Sequence, residues 1–289
     1  MVKKQIKMII RLPLLGILLI YEAYANFINL LSPKLRGFGR QPLIDAIDRD
    51  KKLVEHGGVT FWLHTPNFLC NYRHSTFSTK EPEILQWMDE YGGGVLYDIG
   101  ANIGIYSLYY AQTNKGSVYS FEPSVFNLRQ LVKNVSVNKL SNRVTIVPTP
   151  LSSETGISKF VNGSEDEGGA LSAFGVDYGF DGKPLTGAID SRVIGFTLDF
   201  LIKNRILPEK PSLIKIDVDG IEHLILGGAI ETLQSRTLKS IYVEVNDDFE
   251  DQNQEVAMIL ENAGFTLKEK RQAPMFASTN VFNQIWVRR

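Results

Sequence analysis

The chain is short of the features that mark several protein classes. Its 289 residues include one cysteine, Cys70, so an internal disulfide and a cysteine-rich zinc site are both excluded, and the count suits a reducing compartment. Neither sign of charge is in excess: 31 Lys and Arg against 32 Asp and Glu leave −1, with no basic surplus for nucleic acid. His64 and His74 lack metal-ligand spacing and read as ordinary structural histidines. Familiar nucleotide signatures are missing too. Asn102 and Ile105 stand where a G-x-G-x-x-G fingerprint needs its later glycines, and no Gly-Lys-Ser/Thr follows to make a Walker A loop. The Tyr-x-x-x-Lys pair of many sugar epimerases and nicotinamide oxidoreductases is also absent: Tyr110, Pro123 and Gly182 stand four residues beyond Tyr106, Tyr119 and Tyr178. There is no internal repeat and no low-complexity tract.

What is present centres on Val95 to Gly104, VLYDIGANIG. A short apolar strand meets Asp98, a turn carrying Gly100, Asn102 and Gly104, and then a stretch with helical periodicity. This is the first βα turn of a doubly wound sheet, where glycines admit close backbone approach and the helix N-terminus favours an anion. A second acid, Glu122, closes the next strand, where a carboxylate accepts both hydroxyls of a ribose. The pair predicts a nucleoside ligand without phosphates at the turn, and S-adenosylmethionine fits. Its carboxylate is expected at the helix N-terminus and Asp98 near its ammonium or sulfonium side. The plainer alternative is that Asp98 only caps the helix and the glycines only turn the chain.

The first 40 residues differ in composition from the rest, and the catalytic domain is expected over 41–289. Lys3, Lys4, Lys7 and Arg11 precede an apolar run from Leu12 to Leu31, interrupted by Pro13, Glu22, Asn26 and Asn29; Lys34, Arg36 and Arg40 follow. Three readings stay open: a helix on a membrane surface, a signal or anchor segment, and a helix packed on the domain. The nucleoside site favours a cytoplasmic catalytic domain, with peripheral membrane contact through residues 1–40.

Short strands are expected at Val59–Leu63 and Phe68–Tyr72, and a helix from Glu81-Pro82 to the Gly92-Gly93-Gly94 stop. Pro123 opens a helix with Val125, Leu128, Leu131, Val132 and Val135 on its apolar face, and Val144 to Val147 forms a strand. Pro150 follows at the edge where an adenine would lie. Residues 152–195 break the rhythm, with an acidic cluster and the stretch GGALSAFG over 168–175, and read as a substrate-facing insertion or as a solvated loop. The βα rhythm then returns at LIKIDV, 213–218. A further strand, Ile241–Val245, and a helix stopped by Gly264 follow, before two strands able to pair as an antiparallel edge.

Strand ends carry the chemistry in such sheets. That rule gathers Asp217, Asp219, Glu222 and His223 after one strand and Glu244 and Asn246 at the end of the next. Asp217 is expected to touch cofactor or acceptor, and Asp219, Glu222 or His223 to take a proton. For Glu222 and His223, helix capping and exposure are the alternative. A hard divalent cation on Asp217, Glu244 and Asn246 is chemically admissible, although the same oxygens also suit a hydrogen-bonded pocket.

Together DIGANIG (98–104), FEPSVFNL (121–128), the Asn134 to Asn138 spacing and KIDVDGIEHLILGGA (215–229) resemble the FkbM-type SAM-dependent methyltransferases over about residues 73–250. The resemblance implies an α/β fold of the class I methyltransferase type, a seven-stranded, mostly parallel sheet with helices on both faces. It implies SAM as methyl donor and O-methylation of a sugar or natural-product hydroxyl. That family often has Glu where this chain has Asp219, a shorter reach for the same charge. Rival functions are a nicotinamide-dependent oxidoreductase or epimerase, which wants the missing signatures, and a non-catalytic membrane-associated binding module.

Overall fold

The computed structural model describes residues 2–31, 34, 37–113, 116–185, 189–273, 277 and 279–289, with the backbone alone for 2–13. The chain divides into two units, residues 1–50 and 51–289. In the first, α1 (Val2–Leu31) runs unbroken for 30 residues and α2 (Gln41–Arg49) follows a single helical turn. Glu22, which interrupts the apolar run in sequence, pairs with Arg40, and the Tyr21 hydroxyl donates to the Gly39 carbonyl at 2.6 Å. The turn after α1 is thereby folded back on it. Leu15, Ile17, Leu19, Ile20 and Leu30 on α1, and Leu43, Ile44 and Ile47 on α2, remain exposed. Among the described residues, one helix is long and apolar enough to cross a membrane, over Leu14–Leu31 at mean hydropathy 1.6.

Residues 51–289 open with a hairpin, β1 (Lys51–His56) and β2 (Val59–His64), then α3 (Phe68–Thr76) and α4 (Pro82–Tyr91). The βα units β3 (Leu96–Ile99), α5 (Ile105–Thr113), β4 (Val118–Phe121), α6 (Val125–Val137) and β5 (Val144–Val147) follow. Next come β6 (Gly156–Asn162), β7 (Ala173–Phe174), β8 (Ile189–Gly195) and α7 (Leu198–Lys203). The chain ends with β9 (Leu213–Ile216), α8 (Glu222–Gly227), α9 (Ile230–Leu233), β10 (Ser240–Asn246), α10 (Glu250–Asn262), β11 (Phe265–Arg271) and β12 (Val281–Arg288).

Seven strands form one sheet in the order β11-β12-β10-β9-β3-β4-β5. Five run parallel, and β12 and β11 close the edge antiparallel, as the terminal pair of apolar stretches predicts. The inner strands β3, β4 and β9 are buried at every position, because helices cover both faces of the sheet. One face packs Ile84, Trp87, Leu108 and Tyr109 with Phe61 and Leu63; the other packs Tyr97, Phe121, Leu226, Val256 and Trp286. Strand order reverses at β3, with β4 on one side and β9 on the other, which opens a crevice at their carboxyl ends.

Three local expectations are corrected. Phe68–Tyr72 is not a strand but the start of α3, because Asn67 caps it by accepting the Cys70 N–H at 2.9 Å. On α6, Val125 and Val132 are exposed while Asn127, Gln130 and Asn134 are buried beside Leu131 and Val135. The buried face is polar because it holds neighbouring backbone: Asn134 accepts the His64 N–H at 2.9 Å and donates to Ile103 O at 2.8 Å, and Asn138 exchanges two hydrogen bonds with Trp62 at 2.8 and 2.7 Å. The 152–195 stretch, finally, is more ordered than its composition suggests, with β7, β6 and β8 in a separate antiparallel sheet.

Candidate functional site

The turn after β3 is shaped by two close approaches. Gly100 has φ +80°, and a Cβ there would lie 1.9 Å from the Asp217 carbonyl oxygen; at Gly104, φ +87°, it would meet Leu131 Cδ1 at 2.4 Å. Every amide of the turn is engaged within the protein. Gly100 and Ala101 donate to Phe121 O at 3.0 and 2.9 Å, Asn102 to Glu122 Oε2 at 2.8 Å, Ile103 to Asn102 Oδ1 at 2.9 Å, and Gly104 to Ala101 O at 2.8 Å. These five amides are therefore engaged, ahead of α5, which begins at Ile105.

A cavity of about 360 Å³ lies over the carboxyl ends of β3, β4, β9 and β10, within the size range of small-molecule sites. Gly100, Asn102, Glu122, Pro150, Asp217, Asp219 and Glu244 line it. Phe121, Pro123, Leu151, Ile221 and Ile225 supply apolar wall, sufficient for a flat base. Glu122 is 5% exposed and also accepts the Ser124 N–H at 2.8 Å; burial pushes its carboxyl up to about 7. It stands at the tip of β4, where a ribose is expected, and the donor set suits a phosphate-free nucleoside.

Asp98 is placed differently from expectation. It is fully buried and not part of the cavity wall, and accepts the Ser107 hydroxyl at 2.6 Å, which in turn meets Ser120 Oγ at 2.7 Å. Lys215, next to it on β9, puts its ammonium 3.4 Å from Asp98, 3.3 Å from Asp217 and 3.3 Å from the Gly100 carbonyl. Lys215 thus stands between Asp98 and the cavity, which it lines itself. Burial alone would lower this lysine, but Asp217 and Asp98 outweigh it and hold its charge well above the usual lysine range. Burial likewise would raise Asp217, yet Lys215 and Lys80 hold it below the ordinary carboxylate value. Glu244 is driven well above by burial and by Asp217 and Glu81.

After β9 the candidate acids separate. Asp219, at φ +65°, reaches the cavity and accepts the Leu171 and Ser172 amides on Oδ2 at 2.6 and 3.3 Å; among the described residues no donor reaches Oδ1. Burial and Asp217 raise it to about 6. Glu222 faces away from the cavity, with its carboxylate accepting the Val218 and Gly220 amides and Gln252 Nε2. Burial raises it to about 7. His223 packs edge-on to Phe249 outside the cavity wall, and burial lowers it. Gly104 is likewise not part of the wall. The Asp217, Glu244 and Asn246 set is not assembled either: the Asn246 amide donates to Phe180 O and its oxygen accepts the Asp248 N–H. No group of three or more His, Cys, Asp or Glu among the described residues is arranged to hold a metal.

Arg73 and Lys80 escaped the sequence, whereas the glycine-rich 168–175 stretch was singled out there within a substrate-facing insertion or solvated loop. Residues 168–172 form one wall, strapped by Asn127 and Asn102, which bond Gly168 N and Gly169 O, and by Asp219. Arg73 and Lys80, from α3 and the loop before α4, also line the cavity. Lys80 pairs with Glu81 at 3.0 Å, and Glu81 accepts the Tyr106 hydroxyl at 2.5 Å. Charged residues before the first βα turn were the available signal; nothing in their spacing points to the site.

Residues 98–267 match the family described as "Methyltransferase FkbM domain". A Streptomyces tacrolimicus protein named 31-O-demethyl-FK506 methyltransferase FkbM is 27% identical over 220 residues, covering 68% of this chain and 81% of that relative. Among solved structures, Aeropyrum pernix fibrillarin with natively bound S-adenosyl-L-methionine aligns at TM-score 0.46 and 13% identity, over 83% of this chain and 84% of that one. A putative rRNA methylase from Clostridium thermocellum aligns at TM-score 0.45 and 8% identity, over 73% and 98% of the two chains.

Proposed function

Because the chain belongs to the FkbM methyltransferase domain family, we propose that the cavity binds S-adenosylmethionine and that the enzyme O-methylates a hydroxyl of a sugar, glycan or natural product. The observation that carries the cofactor reading is the Glu122 carboxylate, buried at the tip of β4 and held by the Asn102 and Ser124 amides. The name of the Streptomyces tacrolimicus relative, which describes methylation of an oxygen, supports the hydroxyl acceptor.

The cofactor supplies an electrophilic methyl on a sulfonium; the chain supplies binding, alignment and a place for a proton. Glu122 accepts the ribose hydroxyls, and Phe121, Pro123, Pro150 and Leu151 enclose the base. Asp217, ionised through Lys215 and Lys80, offers negative charge beside the cationic centre. Asp219 takes the acceptor proton on Oδ1. Its carboxyl near 6 is ionised at neutral pH and still basic enough to receive it. Glu222, turned away from the cavity, holds the amides of the turn that presents Asp219. Calorimetric titration with SAM tests the reading. Wild type binds, Glu122→Ala loses binding, and Asp219→Asn binds while its kcat falls about 10²- to 10⁴-fold. Heat with NAD and none with SAM would move the chain to the oxidoreductases.

The apolar α1, with Lys34 and Arg40 beyond it, supports peripheral attachment of residues 1–50 to an anionic bilayer. The single cysteine supports a cytoplasmic catalytic domain.

A further inference from the structure

Arg73 stands on α3, outside the matched region 98–267, and lines the cavity beside Leu69 and Tyr72. Its Nε donates to the Gly168 carbonyl at 2.8 Å. Among the described residues its two terminal Nη groups have no acceptor, and four of the acids around the cavity hold other partners. Asp217 pairs with Lys215, Asp219 accepts two amides on Oδ2, Glu81 holds Lys80 and Tyr106, and Glu122 holds Asn102 and Ser124. A guanidinium at a cavity with its planar end unpaired is a receptor for a carboxylate, which it meets with two parallel hydrogen bonds.

Its position narrows the choice. Gly168, which Arg73 grips, is held through its amide by Asn127, and Gly169 O accepts Asn102 Nδ2 at 2.6 Å. The Asn102 amide in turn lies on Glu122. Arg73 is thus tied into the glycine-turn end of the cavity, within electrostatic reach of Glu122, Asp217 and Asp219, all of which its charge pulls down. The five amides of the turn, Gly100 to Gly104, are already bonded inside the protein. We infer that Arg73 binds the carboxylate on the amino-acid arm of the cofactor.

The inference rests on the SAM reading, and its test separates the two. Full-length wild type, Arg73→Met and Arg73→Lys are titrated calorimetrically with S-adenosylhomocysteine and with 5′-methylthioadenosine, which has the same nucleoside but no carboxylate. Arg73→Met is expected to weaken S-adenosylhomocysteine about 10- to 100-fold and 5′-methylthioadenosine by less than about twofold. Arg73→Lys, with one point charge in place of the fork, should fall between. Equal losses for both ligands would mean that Arg73 only anchors the 168–172 wall, and unchanged S-adenosylhomocysteine affinity would place the carboxylate elsewhere; either overturns the inference alone. Failure of wild type to bind both nucleosides would overturn the cofactor reading with it. Should Arg73→Met not fold, the Arg73→Lys ratio between the two ligands decides.

Discussion

Lys215→Met is the most exacting perturbation of this structure. The ammonium is 1% exposed and lies within 3.4 Å of Asp98 and 3.3 Å of Asp217. The two acids do not respond alike to its loss. Asp217 keeps 26% of its side chain exposed and rehydrates through the cavity, whereas Asp98 is 0% exposed and, among the described residues, retains only the Ser107 hydroxyl. Removing one partner from a buried charge pair costs about 3–5 kcal/mol, against about 0–1 kcal/mol for a surface pair. For a unit the size of residues 51–289 that corresponds to a fall in Tm of about 6–20 °C. At neutral pH the contribution is fully present: the folded lysine lies above its unfolded value, so the stability is lost only as pH rises through the raised value. Differential scanning calorimetry reads the Tm, and urea unfolding the free energy. The double variant Asp98→Asn/Lys215→Met removes both charges while leaving Ser107 an acceptor, and should recover most of the loss. A single variant within about 1 kcal/mol of wild type, or a double no more stable than the single, would refute the argument.

Other outcomes follow from the same geometry. If the nucleoside requires ionised Glu122, whose folded carboxyl lies near 7, S-adenosylhomocysteine should bind about tenfold more weakly at pH 6 than at pH 8, and Glu122→Gln should bind weakly with a flat profile in calorimetry. Glu122 and Glu222 both titrate higher in the folded chain than unfolded, so the folded state holds protons that the unfolded state releases between about 4.5 and 7. The ligand-free protein should therefore lose stability as pH rises through that window, by on the order of 3 kcal/mol per group; urea midpoints rising from pH 5 to pH 8 would contradict this. Glu222→Ala, which strands the Val218 and Gly220 amides, should destabilise by about 1–3 kcal/mol and lower kcat through Asp219, with the rate and the urea midpoint measured on the same preparation. Full-length protein should float with anionic vesicles, and Leu18→Glu/Ile20→Glu, on the exposed side of α1, should abolish flotation without changing SAM affinity.

The sheet and the acid at the tip of β4 were legible because their signals are local. Buried parallel strands read as apolar runs, and Glu122 follows its strand by one residue. Asp98 was legible as a motif but not in its partner, since Lys215 lies more than a hundred residues away and reads in sequence as an odd charge in a strand. α3 was misread because Phe68 to Tyr72 is aromatic and short, and the deciding feature is one hydrogen bond from Cys70 N to the Asn67 side chain. On α6 an apolar periodicity pointed to Val125 and Val132, while the fold buries Asn127 and Asn134 for the backbone groups they satisfy. Hydropathy ranks side chains by transfer from water and is blind to such demands. The 168–172 wall showed in the sequence as a glycine-rich break in the βα rhythm, but Arg73 could not be found by any local pattern, because the cavity gathers its lining from either side of the central strands.

The two asparagines that clasp β2 also explain their own separation. Four residues of helix advance about 6 Å, and two residues of strand about 6.6–6.8 Å. The flank of α6 therefore keeps step with every second peptide of the hairpin and serves as a substitute strand, with Asn134 and Asn138 as its rungs at His64 and Trp62. Inserting or deleting a single residue between them would swing one rung about 100° around the helix and leave the hairpin clasped at one point in place of two.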